Sequence, residues 1–153
     1  MGESTLNTFE ENVKFAQEKE DFFNKLYLEI GFEIISRKDC KYWDLILRQD
    51  DKTFTVEEKA LRKTSDSLFV ETIQDTETNT IGWIEYSKAD FLIYGMFGDK
   101  IVVYRLPLQK FREWFKENID DFKEIESKKG WGITINKIVP ISYIPLDLIK
   151  QIY

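Results

Sequence analysis

The sequence predicts one α/β domain built around a mixed β-sheet, and three observations carry that prediction. The chain has 153 residues, a length that suits one domain, residues 1–153, with a single core. Hydrophobic residues make up 42% and aromatics 15%, enough apolar surface to fold around a core rather than stay disordered. Along the chain the hydrophobic period changes from helical to alternating and back, in the order helix, several strands, helix, strand, helix.

Each element has a local reason. Residues 8–28 read as a helix: Thr8 with Glu11 makes a capping box, Phe9, Val13, Ala16, Phe23 and Leu26 recur at helical spacing, and Gly31 ends the run. FEIIS (32–36) is a short strand. YWDLILRQ (42–49) and TFTVEEKAL (53–61) flank the turn QDDK and form an antiparallel hairpin. SLFVETIQ (67–74) is the next strand, DTETNT (75–80) a polar loop, and GWIEYSKADFLIYGMF (82–97) an extended region centred on FLIYG. GDK (98–100) turns into IVVYRL (101–106). Pro107 opens a helix whose core stripe is Leu108, Phe111, Phe115, Ile119 and Phe122. GWGITINKIVPI (130–141) gives a last strand, with Lys128 and Lys129 in a solvated turn before Trp131, and residues 145–152 a short closing helix.

Composition excludes several chemistries. The chain has no histidine and one cysteine, Cys40. That removes the Ser-His-Asp triad, the Cys-His dyad, histidine-ligated metals, cysteine zinc sites and an internal disulfide. Any chemistry therefore runs on carboxylates, lysines, hydroxyls or bound ions. No apolar run reaches the roughly 20 residues of a membrane helix, and the N-terminus lacks the layout of a signal peptide. A cytoplasmic protein without a membrane partner is the expectation. The net charge of −6 argues against nucleic acid at first sight. Yet residues 1–36 hold eight acids against three lysines, and the rest holds 20 acids and 19 bases. Clustered carboxylates that load cations also look acidic on paper.

The chemistry concentrates in the hairpin. Alternation puts Thr55, Glu57 and Lys59 on one face of their strand and Phe54, Val56 and Glu58 on the other. The apolar face must look inward, so Glu57 and Lys59 point together to the opposite side. A turn at residues 49–52 brings Asp44 opposite residues 57–59. Two carboxylates with waters suit Mg²⁺ or Mn²⁺, and a neighbouring lysine can orient an attacking water. The plain alternative is a solvated hairpin with cross-strand ion pairs worth under about 1 kcal/mol each.

Asp44, twelve spacer residues and then Glu57-Glu58-Lys59 resemble the D-x(n)-(D/E)-x-K signature of the PD-(D/E)XK nuclease superfamily. LFVETIQ followed by IGWIEYSKADFLIYG is similar to the strand-glutamate and Ala-Asp-aromatic region of phage and restriction-type members, and Glu20-x-x-Phe23-x-x-Leu26 resembles their first helix. The resemblance spans roughly residues 15–140, with element order matching only coarsely. It implies a restriction-endonuclease-like domain, a central mixed sheet flanked by helices, of phage or resolvase type. It implies an endonuclease hydrolysing phosphodiester bonds in DNA ahead of RNA. Asp44 and Glu57 would be the metal ligands and Lys59 would sit at the attacking water. Glu20 and Glu71 would be supporting acids, Asp90 an acid behind the site, and Trp83, Tyr86 and Ser87 would line substrate access. Glu58 would stand behind Glu57 unless a bulge exchanged the two. A homodimer could bridge two strands. The competing reading is an inactive nuclease-fold protein that binds or inhibits a basic protein partner through its acidic first helix.

Overall fold

A computed structural model of the chain describes residues 2–38 and 40–153, with side chains from residue 9 onward. Helix α1 (Gly2–Glu29) is followed by strands β1 (Glu33–Ser36), β2 (Leu45–Gln49), β3 (Lys52–Leu61), β4 (Ser67–Asp75) and β5 (Thr80–Ile81). A one-turn helix α2 (Trp83–Tyr86), β6 (Phe91–Phe97), β7 (Ile101–Pro107), helix α3 (Leu108–Glu117), β8 (Lys123–Lys129), β9 (Gly132–Pro140) and β10 (Lys150–Gln151) complete it. This is a mixed α/β domain, but most of its regular elements are strands, and they form two sheets. The first has the order β1-β2-β3-β6-β7-β10 and the second β5-β4-β9-β8.

The hairpin closes where the sequence predicts. Gln49 pairs with Lys52, leaving Asp50 and Asp51 as a two-residue turn in which Asp50 takes φ 56°. β3 then changes partner along its length. Its first half pairs antiparallel with β2, from Gln49–Lys52 to Leu45–Val56, and its second half pairs parallel with β6, from Val56–Phe91 to Leu61–Met96. Both faces of the first sheet are covered. On one, α1 packs Phe23, Leu26 and Tyr27 against Leu45, Leu47, Val56, Ile93 and Val103. On the other, Leu92, Tyr94, Met96 and Leu106 meet α2, α3 and the Leu68, Val70 and Val139 side of the second sheet.

Several expectations require correction. The first helix begins at Gly2 rather than after Thr8, so Thr8 lies inside it and not at its capping position. The extended region 82–97 begins with the helical turn α2, because Gly82 lets the chain fold tightly against β4. A Cβ at Gly82 would clash with the Glu71 carbonyl oxygen, so only glycine allows that approach. The second amphipathic helix stops at Glu117, and a 3-10 turn (Ile119–Asp121) carries Ile119 towards the core. The turn expected around Lys128 and Lys129 is part of strand β8, which pairs with β9 from Lys123–Ile138 to Lys129–Gly132. β8 reads KEIESKK and nearly all of it is exposed; it is an edge strand protected by charge, with no apolar alternation to announce it. The closing helix is a 3-10 turn (Leu146–Leu148) followed by β10 on the edge of β7. No helix among the described residues is long and apolar enough to cross a membrane.

Candidate functional site

The change of partner along β3 builds the site. β2 ends at Leu45, so beyond Val56 one side of β3 has no strand neighbour. Asp44, one step past the Leu45–Val56 pair, leaves the ladder there. Its backbone N–H donates to the Val56 carbonyl at 2.9 Å. Its Oδ2 accepts the Glu58 backbone N–H at 2.7 Å. A donor that would otherwise seek a strand partner is thus satisfied by a carboxylate, which fixes the Asp44 side chain.

Glu57 and Lys59 emerge from β3 on the same face, beside Leu92 and Tyr94 of β6. That face is not open to solvent, as the sequence suggests, because the second sheet and α2 cover it. Glu57 is only 3% exposed, and its Oε2 lies 3.4 Å from Lys59 Nζ. Burial raises the Glu57 pKa to about 7; the Lys59 charge opposes the rise, while the neighbouring Asp44 carboxylate adds to it. Lys59 keeps a partly exposed side chain and lies 5.7 Å from the Trp83 ring centroid. Asp44, Glu57, Lys59 and Tyr86 line one cavity of about 310 Å³, whose remaining wall is Cys40, Lys41, Gln74, Thr80 and Ile81.

The other residues singled out in the sequence divide into two groups. Ser87, Trp83 and Tyr86 come to the site with α2. Ser87 donates to the Tyr42 carbonyl at 3.1 Å, and Arg112 of α3 donates to the carbonyls of Ile84 and Ser87. These contacts tie the segment to Tyr42, ahead of β2, and to α3. Ser87 is fully buried and Trp83 nearly so, so of the three only Tyr86 lines this cavity. Burial, then the charges of Glu57, Glu71 and Asp44, raise the Tyr86 pKa to about 12; Glu71 itself lies against Gly82, outside this cavity.

Glu20, Glu58 and Asp90 are engaged elsewhere. Glu58 turns to the α1 face, accepting from Tyr27 Oη at 2.6 Å and from both terminal nitrogens of Arg37 at 3.1 Å. Glu20 lies 3.6 Å from Arg37 in the same network, on the side of the sheet away from Glu57. It does not join the Asp44–Glu57 pair because α1 packs on the Val56 face. Asp90 accepts from the Thr55 backbone and hydroxyl at 2.9 and 3.2 Å, clamping β6 to β3. Among the described residues no cluster of three or more acidic or cysteine side chains is arranged to hold an ion. Asp44 and Glu57 are the two carboxylates at this cavity that could hold a hard cation, with waters filling its other positions. The chain matches no protein-family model, no curated protein and no solved structure.

The wall formed by Gln74, Thr80 and Ile81 carries no sequence signal. It comes from the β4–β5 hairpin, whose polar composition marks only a loop.

Proposed function

We propose that the chain is a metal-dependent phosphodiesterase acting on nucleic acid, with DNA ahead of RNA as substrate. The observation that supports this reading best is the convergence of Asp44, the buried Glu57 and Lys59 on one cavity. The β-hairpin followed by a parallel strand, with the acid-x-lysine segment on the central strand, agrees with the nuclease resemblance in the sequence.

The donor set fits Mg²⁺ or Mn²⁺. Burial, with the nearby Asp44 charge adding to it, leaves Glu57 partly protonated at neutral pH. A divalent cation held by Asp44 and Glu57 would replace that proton, and when bound it would neutralise charge on a phosphate and lower the pKa of water. The chain's own residues do the remaining work. The Glu58 N–H keeps Asp44 in one orientation. Lys59, 3.4 Å from Glu57, orients an attacking water and stabilises the negative charge that develops on the phosphorus-bound oxygens.

The test is cleavage of labelled single-stranded, duplex and branched DNA, and of RNA, with Mg²⁺ or Mn²⁺. Lys59→Ala and Asp44→Asn should each reduce cleavage by at least about 100-fold while leaving the far-ultraviolet circular dichroism unchanged. No cleavage of any form would overturn the reading.

A further inference from the structure

Lys59 is a wall shared by two cavities. Beyond the first lies a second of about 450 Å³, formed where the end of β3 faces the second sheet. Alternation along three strands supplies its far wall: Phe69 and Glu71 from β4, Thr134 and Asn136 from β9, Ser127 and Lys129 from β8. Phe69, Glu71 and Asn136 on this side of the second sheet are partly exposed, whereas Leu68, Val70 and Val139 on its reverse are fully buried. Lys63 and Lys129 are exposed at this cavity, and Lys63 Nζ sits 5.3 Å from the Phe69 ring centroid. At the other end, Lys41 and Lys88 lie 5.8 and 4.4 Å from the Tyr42 ring centroid. An acidic chain therefore carries Lys63, beside Phe69, and Lys129 at the second cavity and Lys41 at the first, on either side of the Asp44–Glu57–Lys59 centre.

We infer that the two cavities form a binding groove for one single strand of nucleic acid, with Lys63 and Lys129 on phosphates and Phe69 as a stacking face for a base. The direction of the strand towards Lys59 rests on the hydrolytic reading, while the recognition chemistry stands apart from catalysis. Cavities of this size accept ligands of about nucleotide dimensions. Lysines that follow a backbone, with an aromatic ring between them, are the combination that single strands recognise without reading sequence. The acid that lines this second cavity, Glu71, lies against Gly82.

Fluorescence anisotropy in EDTA separates binding from cleavage. The probes are a labelled oligothymidylate of about 12 nucleotides, a duplex of equal length and poly-glutamate. The single strand should bind more tightly than either of the others. Lys63→Gln with Lys129→Gln should weaken it about tenfold and reduce the salt slope of log Kd by about 1.4, the loss of two phosphate contacts. Phe69→Leu, which keeps an apolar side chain in the sheet, should weaken it by roughly tenfold. Equal binding of poly-glutamate, preference for the duplex, or variants that bind like the parent protein would each overturn the groove. Groove binding without cleavage once Mn²⁺ is added leaves this inference standing and sinks the hydrolytic reading. Cleavage with binding unaffected by the three substitutions does the reverse.

Discussion

Asp44 and Glu58 are joined across the hairpin by a 2.7 Å hydrogen bond from the Glu58 backbone to the Asp44 carboxylate. Glu58's own side chain leaves on the opposite face for Tyr27 and Arg37. One residue thus ties the candidate site to α1, and the adjacent glutamates have separate surroundings: Glu57 in the cleft, Glu58 in the helix-to-sheet contact.

Stability should depend on Glu57. Its folded pKa of about 7 lies above the ordinary 4.5, so between those values the folded protein binds more protons than the unfolded chain. Stability from this group is therefore full below about 4.5 and declines as pH rises through 7, by an amount on the order of 3 kcal/mol. Urea unfolding at pH 5 and pH 8 should show the decline in the parent protein and a smaller one in Glu57→Gln. Equal pH dependence in both would refute the assignment.

The neighbours of Glu57 should move its titration in opposite directions. Asp44→Asn removes a nearby negative charge and should lower the Glu57 pKa. Lys59→Gln removes the positive charge 3.4 Å from Glu57 and should raise it. Carboxyl carbon shifts in nuclear magnetic resonance titrations measure both, and shifts of the same sign would contradict the geometry.

Mn²⁺ binding should be coupled to proton release, because the cation takes the place of the proton held by Glu57. Affinity is expected to rise with pH up to about 7 and then level off. Calorimetry in buffers of different ionisation enthalpy reads the released proton directly; heats independent of buffer would count against the pair as the ligand set.

Arg37→Ala should destabilise by about 2–3 kcal/mol, since it strips two hydrogen bonds from the buried Glu58 carboxylate. Glu20→Gln should cost under about 0.5 kcal/mol, because Glu20 is substantially exposed and its ion pair with Arg37 is long, at 3.6 Å. Thermal unfolding of the two variants ranks them, and a larger loss from Glu20→Gln would make Glu20, not Glu58, the main partner of Arg37.

Gly82→Ala should destabilise by about 1–3 kcal/mol, because the added methyl runs into the Glu71 carbonyl oxygen. The loss should appear as a lower urea midpoint, and an unchanged midpoint would mean that α2 can shift away from β4.

The sequence by itself determined what is local. Alternation put Glu57 and Lys59 on one face of β3 and Glu58 on the other, the Asp-rich turn closed the hairpin, and that register brought Asp44 to residues 57 and 58. These features depend on neighbours a few residues apart, which periodicity and turn chemistry record. The tertiary structure decided the rest. A second sheet covers the Glu57 face, so a side chain that reads as solvated becomes buried and its pKa rises. Glu20 pairs with Arg37 because α1 packs on the other face of the sheet. β8 is a strand by its pairing with β9, despite a sequence dominated by charges, and it brings Lys129 to the same cavity as the distant Lys63. Backbone pairing and desolvation between distant segments leave no periodic trace in either segment alone, so only the folded arrangement reveals them.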